Sequence, residues 1–132
     1  MSTDVTIRNL AANAAREIKA SAHYAYLVNG GTLDGLLFAL GELVLEGQCL
    51  VRDDITGLYE KYVETVPGVF EPGKSNPVIL DESIRFVLDD LGANPNVTFG
   101  QALVHGAVYR SLLIGVTDAF ITALGGAVRI VA

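Results

Sequence analysis

The sequence is poor in cysteine, and Cys49 is its one thiol. A single cysteine excludes an intramolecular disulfide and any metal site built from cysteine pairs. A lack of disulfides is typical of proteins in reducing compartments, so we expect a cytoplasmic protein. Because Leu50 and Val51 directly follow the thiol, the sequence predicts that Cys49 is buried and unreactive.

Charged residues are also scarce. They make up 18% of the chain, whereas an ordinary globular domain carries about 25%. Hydrophobic residues make up 51%, which excludes global disorder because disordered chains combine low hydrophobicity with high charge. This apolar excess predicts either a helix that is buried on all sides or a surface that is buried against another chain.

Basic residues are few between Asp53 and Asp90. That segment holds nine acidic and three basic residues, and the difference equals the formal net charge of −6. A protein that binds nucleic acid directly needs a basic face for the phosphates, so we expect no direct nucleic-acid binding. The acidic 53–90 segment is either a solvated face or a docking face for a basic partner.

No stretch of the sequence fits a secretory signal or a membrane span. The residues after Met1 lack the basic-then-apolar order of a signal peptide. The most apolar stretch, residues 111–132, contains Asp118 and Arg129, and a charged side chain is costly at the centre of a bilayer. We therefore expect no membrane span.

Hydrophobic residues recur at helical spacing in several segments, which are separated by capping residues, glycines and prolines. The sequence therefore predicts an all-α fold, with residues 1–132 as a single helical domain. That domain is a compact bundle of about five helices, which cover residues 4–28, 32–47, 53–65, 81–91 and 98–124. Within the second and fourth helices we expect buried positions for the apolar residues, which are Leu36, Leu37, Phe38, Leu40, Leu43, Val44, Leu45, Ile84, Val87, Leu88 and Leu91.

The fifth predicted helix, in the C-terminal part of the chain, is the most hydrophobic, so we expect it at the centre of the bundle. Small residues at Gly115, Ala119 and Ala123 would let a second helix approach closely. The apolar tail, residues 127–132, is predicted as a short strand or an extended segment. We predict an interface formed by Leu113, Gly115, Val116, Ala119, Phe120, Ala123, Val128 and Ile130.

The longest predicted loop covers residues 67–79. It contains three prolines and two glycines, which disfavour both helix and central strand. Long loops in compact domains are often functional or become ordered against a partner. We therefore predict a functional loop at this position.

Residues suited to catalysis are few. The candidates are His23, His105 and Tyr109, because a histidine–tyrosine pair can exchange protons and these side chains would share a polar pocket if the first and fifth helices packed together. Two unrelated structural histidines are the alternative. The positions three residues before the histidines are alanines, which excludes the Glu-x-x-His pattern of di-iron bundles. Without a phosphate loop or a nucleophile motif, we predict no metal and no cofactor.

The composition favours a non-catalytic interaction or assembly subunit over an enzyme. We expect an oligomeric protein whose partner is itself, another protein, or both. One alternative is an acidic inhibitor of the immunity or antitoxin type, which would block a basic partner with the 53–90 segment. The other is a small-molecule binding domain or enzyme that uses the histidine–tyrosine pocket.

Overall fold

The computed structural model describes residues 17–132, and this part of the chain consists mainly of β-strands. It contains ten strands, one short α-helix and two single-turn 3-10 helices. The strands are β1 (Ala25–Tyr26), β2 (Gly31–Leu33), β3 (Leu43–Val44), β4 (Cys49–Asp53), β5 (Tyr59–Lys61), β6 (Lys74–Leu80), β7 (Ile84–Arg85), β8 (Val97–Phe99), β9 (Ala102–Tyr109) and β10 (Val128–Val131). Helix α1 covers Asp118–Ala123, and the 3-10 helices cover Gly35–Leu37 and Arg110–Leu112.

Eight of these strands form one curled sheet. Seven follow the order β1-β9-β6-β4-β5-β2-β8, and β10 also pairs with β9. The β2–β5 and β9–β10 pairs are parallel, and the others are antiparallel. Strands β3 and β7 form a separate antiparallel ribbon. Strand β9 has three neighbours, β1, β6 and β10, and so lies at the centre of the described fold.

This architecture contradicts the predicted all-α bundle, and the largest error concerns residues 98–124. That segment holds β8, β9, a 3-10 turn and α1, which is six residues long. Strand β9 is apolar because it contributes to two separate core clusters, Leu103 to one and Val104 to the other. A strand that is covered on both faces lacks the alternating pattern of a half-exposed strand, so its sequence resembles that of a buried helix.

Gly106 lies where the backbone of β9 departs furthest from helical geometry and approaches another segment closely. Its φ angle is +133°, and a Cβ at this position would lie 2.9 Å from Tyr24 Cβ. Glycine is therefore required where the chain before β1 crosses close to β9, because any larger residue would be strained and would clash.

The second predicted helix, residues 32–47, is also wrong. It contains the end of β2, a 3-10 turn, β3 and the loops between them. Gly41 and Gly47 have φ angles of +69° and +96°, and both values lie outside the right-handed helical region. The apolar residues of this segment are therefore divided between the core, which takes Phe38 and Val44, and the surface, where Leu36, Leu37 and Leu40 lie.

The third predicted helix, residues 53–65, is mainly a turn followed by β5. Aspartate is a common helix cap, but the carboxylate of Asp53 accepts hydrogen bonds from the amides of Ile55 and Thr56 in a turn, at 2.8 and 3.0 Å. The same side-chain chemistry serves helix caps and tight turns, so the residue type alone does not distinguish them.

The first and fourth predicted helices fail in the described residues as well. Residues 4–16 of the first lie outside the described part of the chain. The remainder is extended, with Lys19 bridged to Val108 and β1 paired with β9. The fourth, residues 81–91, contains β7 and a loop.

The core consists of two clusters separated by the sheet. The first contains Leu33, Phe38, Val44, Leu50, Tyr59, Val78, Leu80, Ile84, Phe86, Phe99 and Ala102. The second contains Ile18, Cys49, Val51, Tyr62, Ile79, Leu103, Val108, Phe120 and Val128. Alternation along β4 and β6 produces this division, since neighbouring residues of a strand point to opposite faces.

The apolar tail, residues 127–132, was predicted as a short strand or an extended segment. It contains the short strand β10, so the first of these predictions is confirmed. The predicted loop at residues 67–79 is divided: its second half belongs to β6, where Asn76 and Pro77 oppose Val51 as a bulge. A bulge tolerates proline because its extra residue leaves the hydrogen-bond ladder.

Within residues 17–132, no helix has the length and apolar character needed to cross a bilayer.

Candidate interaction surface

Two loops extend from the β3–β7 ribbon and are fixed to each other. The β2–β3 loop covers residues 34–42, and the β7–β8 loop covers residues 86–96. Phe86 N donates to the carbonyl of Glu42 at 2.9 Å, where the ribbon continues into the loops. Gly35 N donates to Asn96 Oδ1 at 2.9 Å. The loops therefore behave as one unit, although they are about fifty residues apart in sequence.

The side chain of Asn94 is the main link between these loops. It is buried, and its Nδ2 lies 3.2 Å from the carbonyls of Gly35 and Phe38 and 2.9 Å from that of Ala39. Its Oδ1 accepts the amide of Gly41 at 2.9 Å. One side chain thus satisfies the amide of Gly41 and the carbonyl of Phe38. It also adds a second donor to the carbonyls of Gly35 and Ala39, which accept the amides of Phe38 and Glu42 as well.

Beneath the polar link, each loop contributes one aromatic ring to the first core cluster. Phe38 and Phe86 are buried, with ring centroids 5.0 Å apart. Gly35 permits the close approach of the backbones, since a Cβ there would lie 2.5 Å from the carbonyl oxygen of Pro95. The loops are therefore held by packing as well as by hydrogen bonds.

The same loops carry large apolar side chains that are exposed to solvent. Leu36 is 86% exposed and Leu91 is 92% exposed. We call the set the two-loop surface, and its members are Leu36, Leu37, Leu40, Val87, Leu88 and Leu91. The buried positions predicted for these side chains are therefore wrong, whereas those predicted for Phe38, Val44 and Ile84 are confirmed. These two linked loops carry six of the thirteen large apolar side chains that are exposed in residues 17–132, so the set is a candidate interface.

Acidic groups surround the two-loop surface. Its loops contain Asp34, Glu42, Asp89 and Asp90 and no lysine or arginine. Glu42 forms an ion pair with Lys61 of β5. The other three carboxylates make no salt bridge with any residue in the described range, and Asp89 accepts the amides of its own loop. The loops themselves therefore carry acidic groups only, and Arg85 of β7 reaches them through a hydrogen bond from Nη1 to the carbonyl of Gly41 at 3.3 Å.

Elsewhere, the acidic 53–90 segment is largely partnered within the chain. Its pairs are Asp53 and Glu60 with Lys74, Asp54 with Arg52 and Ser75, Glu64 with Thr117, Glu71 with Thr65, Asp81 with Lys19, and Glu82 with the amides of Gly100 and Gln101. The segment is therefore not a continuous bare acidic face. Its carboxylates that form no salt bridge with a described residue are those of Glu64, Glu71, Glu82, Asp89 and Asp90, and the last two lie beside the two-loop surface.

A buried ion pair anchors the beginning of the described chain. Lys19 Nζ donates to Asp81 Oδ2 at 2.8 Å, and Tyr26 OH donates to the same oxygen at 2.5 Å. Burial alone would lower the pKa of Lys19, but its hydrogen bonds to Asp81 and Glu17 outweigh burial and raise that pKa. Burial, and then the bond to Asp81, also raise the pKa of Tyr26. This pair fixes residues 17–26 against the turn after β6.

A second apolar feature lies between α1 and the loop at residues 62–73. Glu64 accepts hydrogen bonds from the hydroxyls of Thr117 and Tyr62 and from the amide of Gly68, and the bond from Thr117 is the main cause of its lowered pKa. Tyr62 also stacks on Phe70, with ring centroids 5.1 Å apart. The resulting groove has a volume of about 350 Å³ and is lined by Gly68, Phe70, Ala119, Thr122 and Ala123.

The structure distributes the residues of the predicted C-terminal interface between core and surface. Phe120 and Val128 are buried in the second core cluster, and Leu113, Val116 and Ile130 pack against that cluster. Ala119 and Ala123 line the groove beside α1. Gly115 is exposed at a bend with a φ angle of +80°. Ala119, Ala123 and Gly115 therefore remain open to contact by another chain.

The predicted catalytic candidates lie on or beside neighbouring strands. His105 in β9 is opposite Ala25 of β1, and His23 lies two residues before Ala25. Both imidazoles are exposed and make no hydrogen bond with the described residues, and Tyr109 is also exposed. None of the three cavities characterised in the structure is lined by His23, His105 or Tyr109. The strands therefore bring the histidines near each other without enclosing a site.

Metal binding has little support in the described residues. Across residues 17–132, no group of three or more histidine, cysteine, aspartate or glutamate side chains is arranged to hold a metal ion. The thiol of Cys49 is buried, as the sequence predicted, and burial raises its pKa to about 12. A thiol of this kind is a poor nucleophile because almost none of it is ionised near neutral pH.

Comparisons of the chain with protein-family models, with curated protein sequences and with solved structures found no match. The function is therefore inferred from the chain's own residues. Sequence reasoning missed Asn94 and the exposure of the two-loop surface. The available signal was the position of Gly35, Gly41 and Gly92 within or beside the apolar runs, since glycine favours turns over helix interiors.

Proposed function

We propose that this chain is a non-catalytic protein–protein interaction and assembly module, and that the two-loop surface is its binding site. The observation that carries the proposal is the exposure of six large apolar side chains on loops fixed by Asn94 and by the Phe38–Phe86 pair. A preorganised apolar surface loses little conformational entropy on binding, so its burial against a partner is favourable.

The partner is the chain itself, another protein, or both. Self-association through the groove beside α1, where Ala119 and Ala123 lie, is the form that the sequence favours. A location in the cytoplasm belongs to the same proposal, since the chain has one thiol. A histidine–tyrosine enzyme is disfavoured because its candidate residues are exposed and do not line a cavity.

The test combines sedimentation velocity with affinity capture from the native source. The baits are the wild-type chain, the double variant Leu36→Ser with Leu91→Ser, and the control Ile55→Ser. Ile55 is 95% exposed in the β4–β5 turn, so it matches Leu91 in exposure but lies outside the two-loop surface.

We expect the wild-type chain and the Ile55→Ser variant to retain the same partner protein through the two-loop surface, independently of any self-association through the groove beside α1. The double variant should lose that association while its melting temperature stays unchanged, because exposed side chains contribute little to folding. A wild-type chain that remains monomeric and retains no protein would contradict the proposal. Equal association by the double variant would contradict it as well.

A further inference from the structure

We infer that the two-loop surface binds a different protein, whose contact surface is an apolar groove bordered by lysine or arginine side chains. This inference rests on the proposed function and adds the chemistry of the partner. Its basis is the combination of exposed leucines with the carboxylates of Asp34, Asp89 and Asp90, which form no salt bridge with a described residue.

The acidic residues lie within the apolar set itself. Asp89 and Asp90 fall between Leu88 and Leu91 in the β7–β8 loop, and Asp34 precedes Leu36 in the β2–β3 loop. Any surface that covers the leucines must therefore come close to these carboxylates. Lysine or arginine at the rim of the partner's groove would neutralise them, whereas an uncharged rim would leave them partly desolvated without compensation.

The same charges argue against other occupants. In a symmetric contact between two copies, carboxylates of one β7–β8 loop would lie near those of the other, and like charges at an interface oppose association. Nucleic acids and anionic lipid surfaces carry the same sign of charge as the loops. A protein groove that is apolar inside and basic at its rim would cover the leucines and neutralise the carboxylates.

The test uses nuclear magnetic resonance of the ¹⁵N-labelled full chain and two synthetic peptides. Both are amphipathic helices of about 14 residues with the same leucine face, and the flanking positions are lysine in one and glutamate in the other. The lysine peptide should shift the amide signals of residues 34–42 and 86–96. At about 50 mM salt its affinity should exceed that of the glutamate peptide by about tenfold, and the ratio should fall to about twofold near 500 mM.

Two sets of variants separate the charges from the leucines. Asp89→Asn with Asp90→Asn should reduce the affinity ratio to about twofold, and the carboxamide oxygen introduced at position 89 can still accept the amides of Leu91 and Ala93. The matched control is Asp118→Asn, which removes an exposed carboxylate on α1 and should leave the ratio unchanged. Leu36→Ser with Leu91→Ser should abolish the shifts caused by either peptide.

Several outcomes would overturn the inference. Equal affinity for the two peptides would show that charge does not select the partner, while the two-loop surface would remain a binding site. Concentration-dependent shifts of the same amides in the chain alone would identify a second copy as the occupant. Shifts on adding phosphatidylcholine vesicles would identify a lipid surface. If neither peptide shifts these amides, the partner chemistry is wrong, and sedimentation and capture then decide the proposed function separately.

Discussion

The buried side chain of Asn94 accepts the backbone amide of Gly41 across a distance of 2.9 Å, which joins two loops 53 positions apart in sequence. The Nδ2 atom of the same side chain donates to the carbonyl of Ala39, also at 2.9 Å. An asparagine is suited to this place because its side chain offers a donor group and an acceptor in one plane. The exposed leucines on both loops depend on it for their positions.

Replacing Asn94 by alanine should therefore destabilise the chain. The change leaves the amide of Gly41 and the carbonyl of Phe38 without their partner, whereas the carbonyls of Gly35 and Ala39 still accept the amides of Phe38 and Glu42. We expect a loss of about 2–3 kcal/mol in the free energy of unfolding. Urea denaturation measures this loss. Asn96→Ala, which removes one hydrogen bond to Gly35, should cost about 1 kcal/mol. Equal stability of Asn94→Ala and the wild type would show that the two loops do not depend on this link.

The ion pair between Lys19 and Asp81 should matter more than a surface pair. Lys19→Met leaves the buried carboxylate of Asp81 without its cation, and we expect destabilisation by about 3 kcal/mol. The control is Arg110→Met, because the Arg110–Asp118 pair is exposed and should contribute less than about 1 kcal/mol. Thermal and urea unfolding compare the two. Similar losses in both variants would show that burial does not strengthen the Lys19 pair.

Glu42 should contribute to stability in a way that depends on pH. Burial would raise its pKa, but Lys61 and the amide of Ala39 outweigh burial and lower that pKa below the ordinary value of 4.5. A lowered carboxyl pKa gives stability that is fully present above the ordinary value and is lost as the pH falls through the lower folded value. Glu42→Gln should therefore be less stable than the wild type at neutral pH, and the difference should shrink in acid.

Urea denaturation at a series of pH values measures this difference. Asp118→Asn is the control, since its carboxylate is exposed and its pair with Arg110 lies at the surface. The account of the Glu42–Lys61 pair is wrong if the difference in free energy of unfolding between Glu42→Gln and the wild type stays constant from neutral pH to well below the ordinary carboxyl pKa.

The thiol of Cys49 should be unreactive in the folded chain. Its burial and its pKa of about 12 leave it protonated and inaccessible in mildly alkaline buffer. A thiol reagent such as dithionitrobenzoate should react with it slowly in buffer and completely in concentrated urea. Rapid stoichiometric reaction without urea would show that the sheet around β4 opens readily.

The sequence located the breaks in the chain better than it identified the elements. Asn29-Gly30, Pro67-Gly68 and Gly125-Gly126 lie at turns or bends, as expected. The secondary structure predicted for the segments between these breaks was wrong. The clearest case is β9, which is apolar on both faces, so its sequence does not alternate. Helical spacing of apolar residues also arises when short strands alternate with glycine turns, so the hydrophobic pattern alone could not separate the two folds.

The candidate site was predicted only in part. An apolar interface was expected, but its residues were placed at the C-terminus, where Phe120 and Val128 are needed for the core. The leucines of the two-loop surface were assigned to buried helix faces. Their exposure depends on Asn94, whose partners lie more than fifty residues away. Such long-range pairing has no signature in a single sequence.

Site-specific photo-crosslinking tests the central claim most directly. A photoreactive phenylalanine analogue replaces Leu91 in one variant and Ile55 in the other, two positions that are 92% and 95% exposed. After irradiation in the native host, we expect a discrete adduct of higher mass from position 91 and none from position 55. An adduct from position 55 alone, or no adduct from either position, would contradict the assignment of the two-loop surface as the binding site.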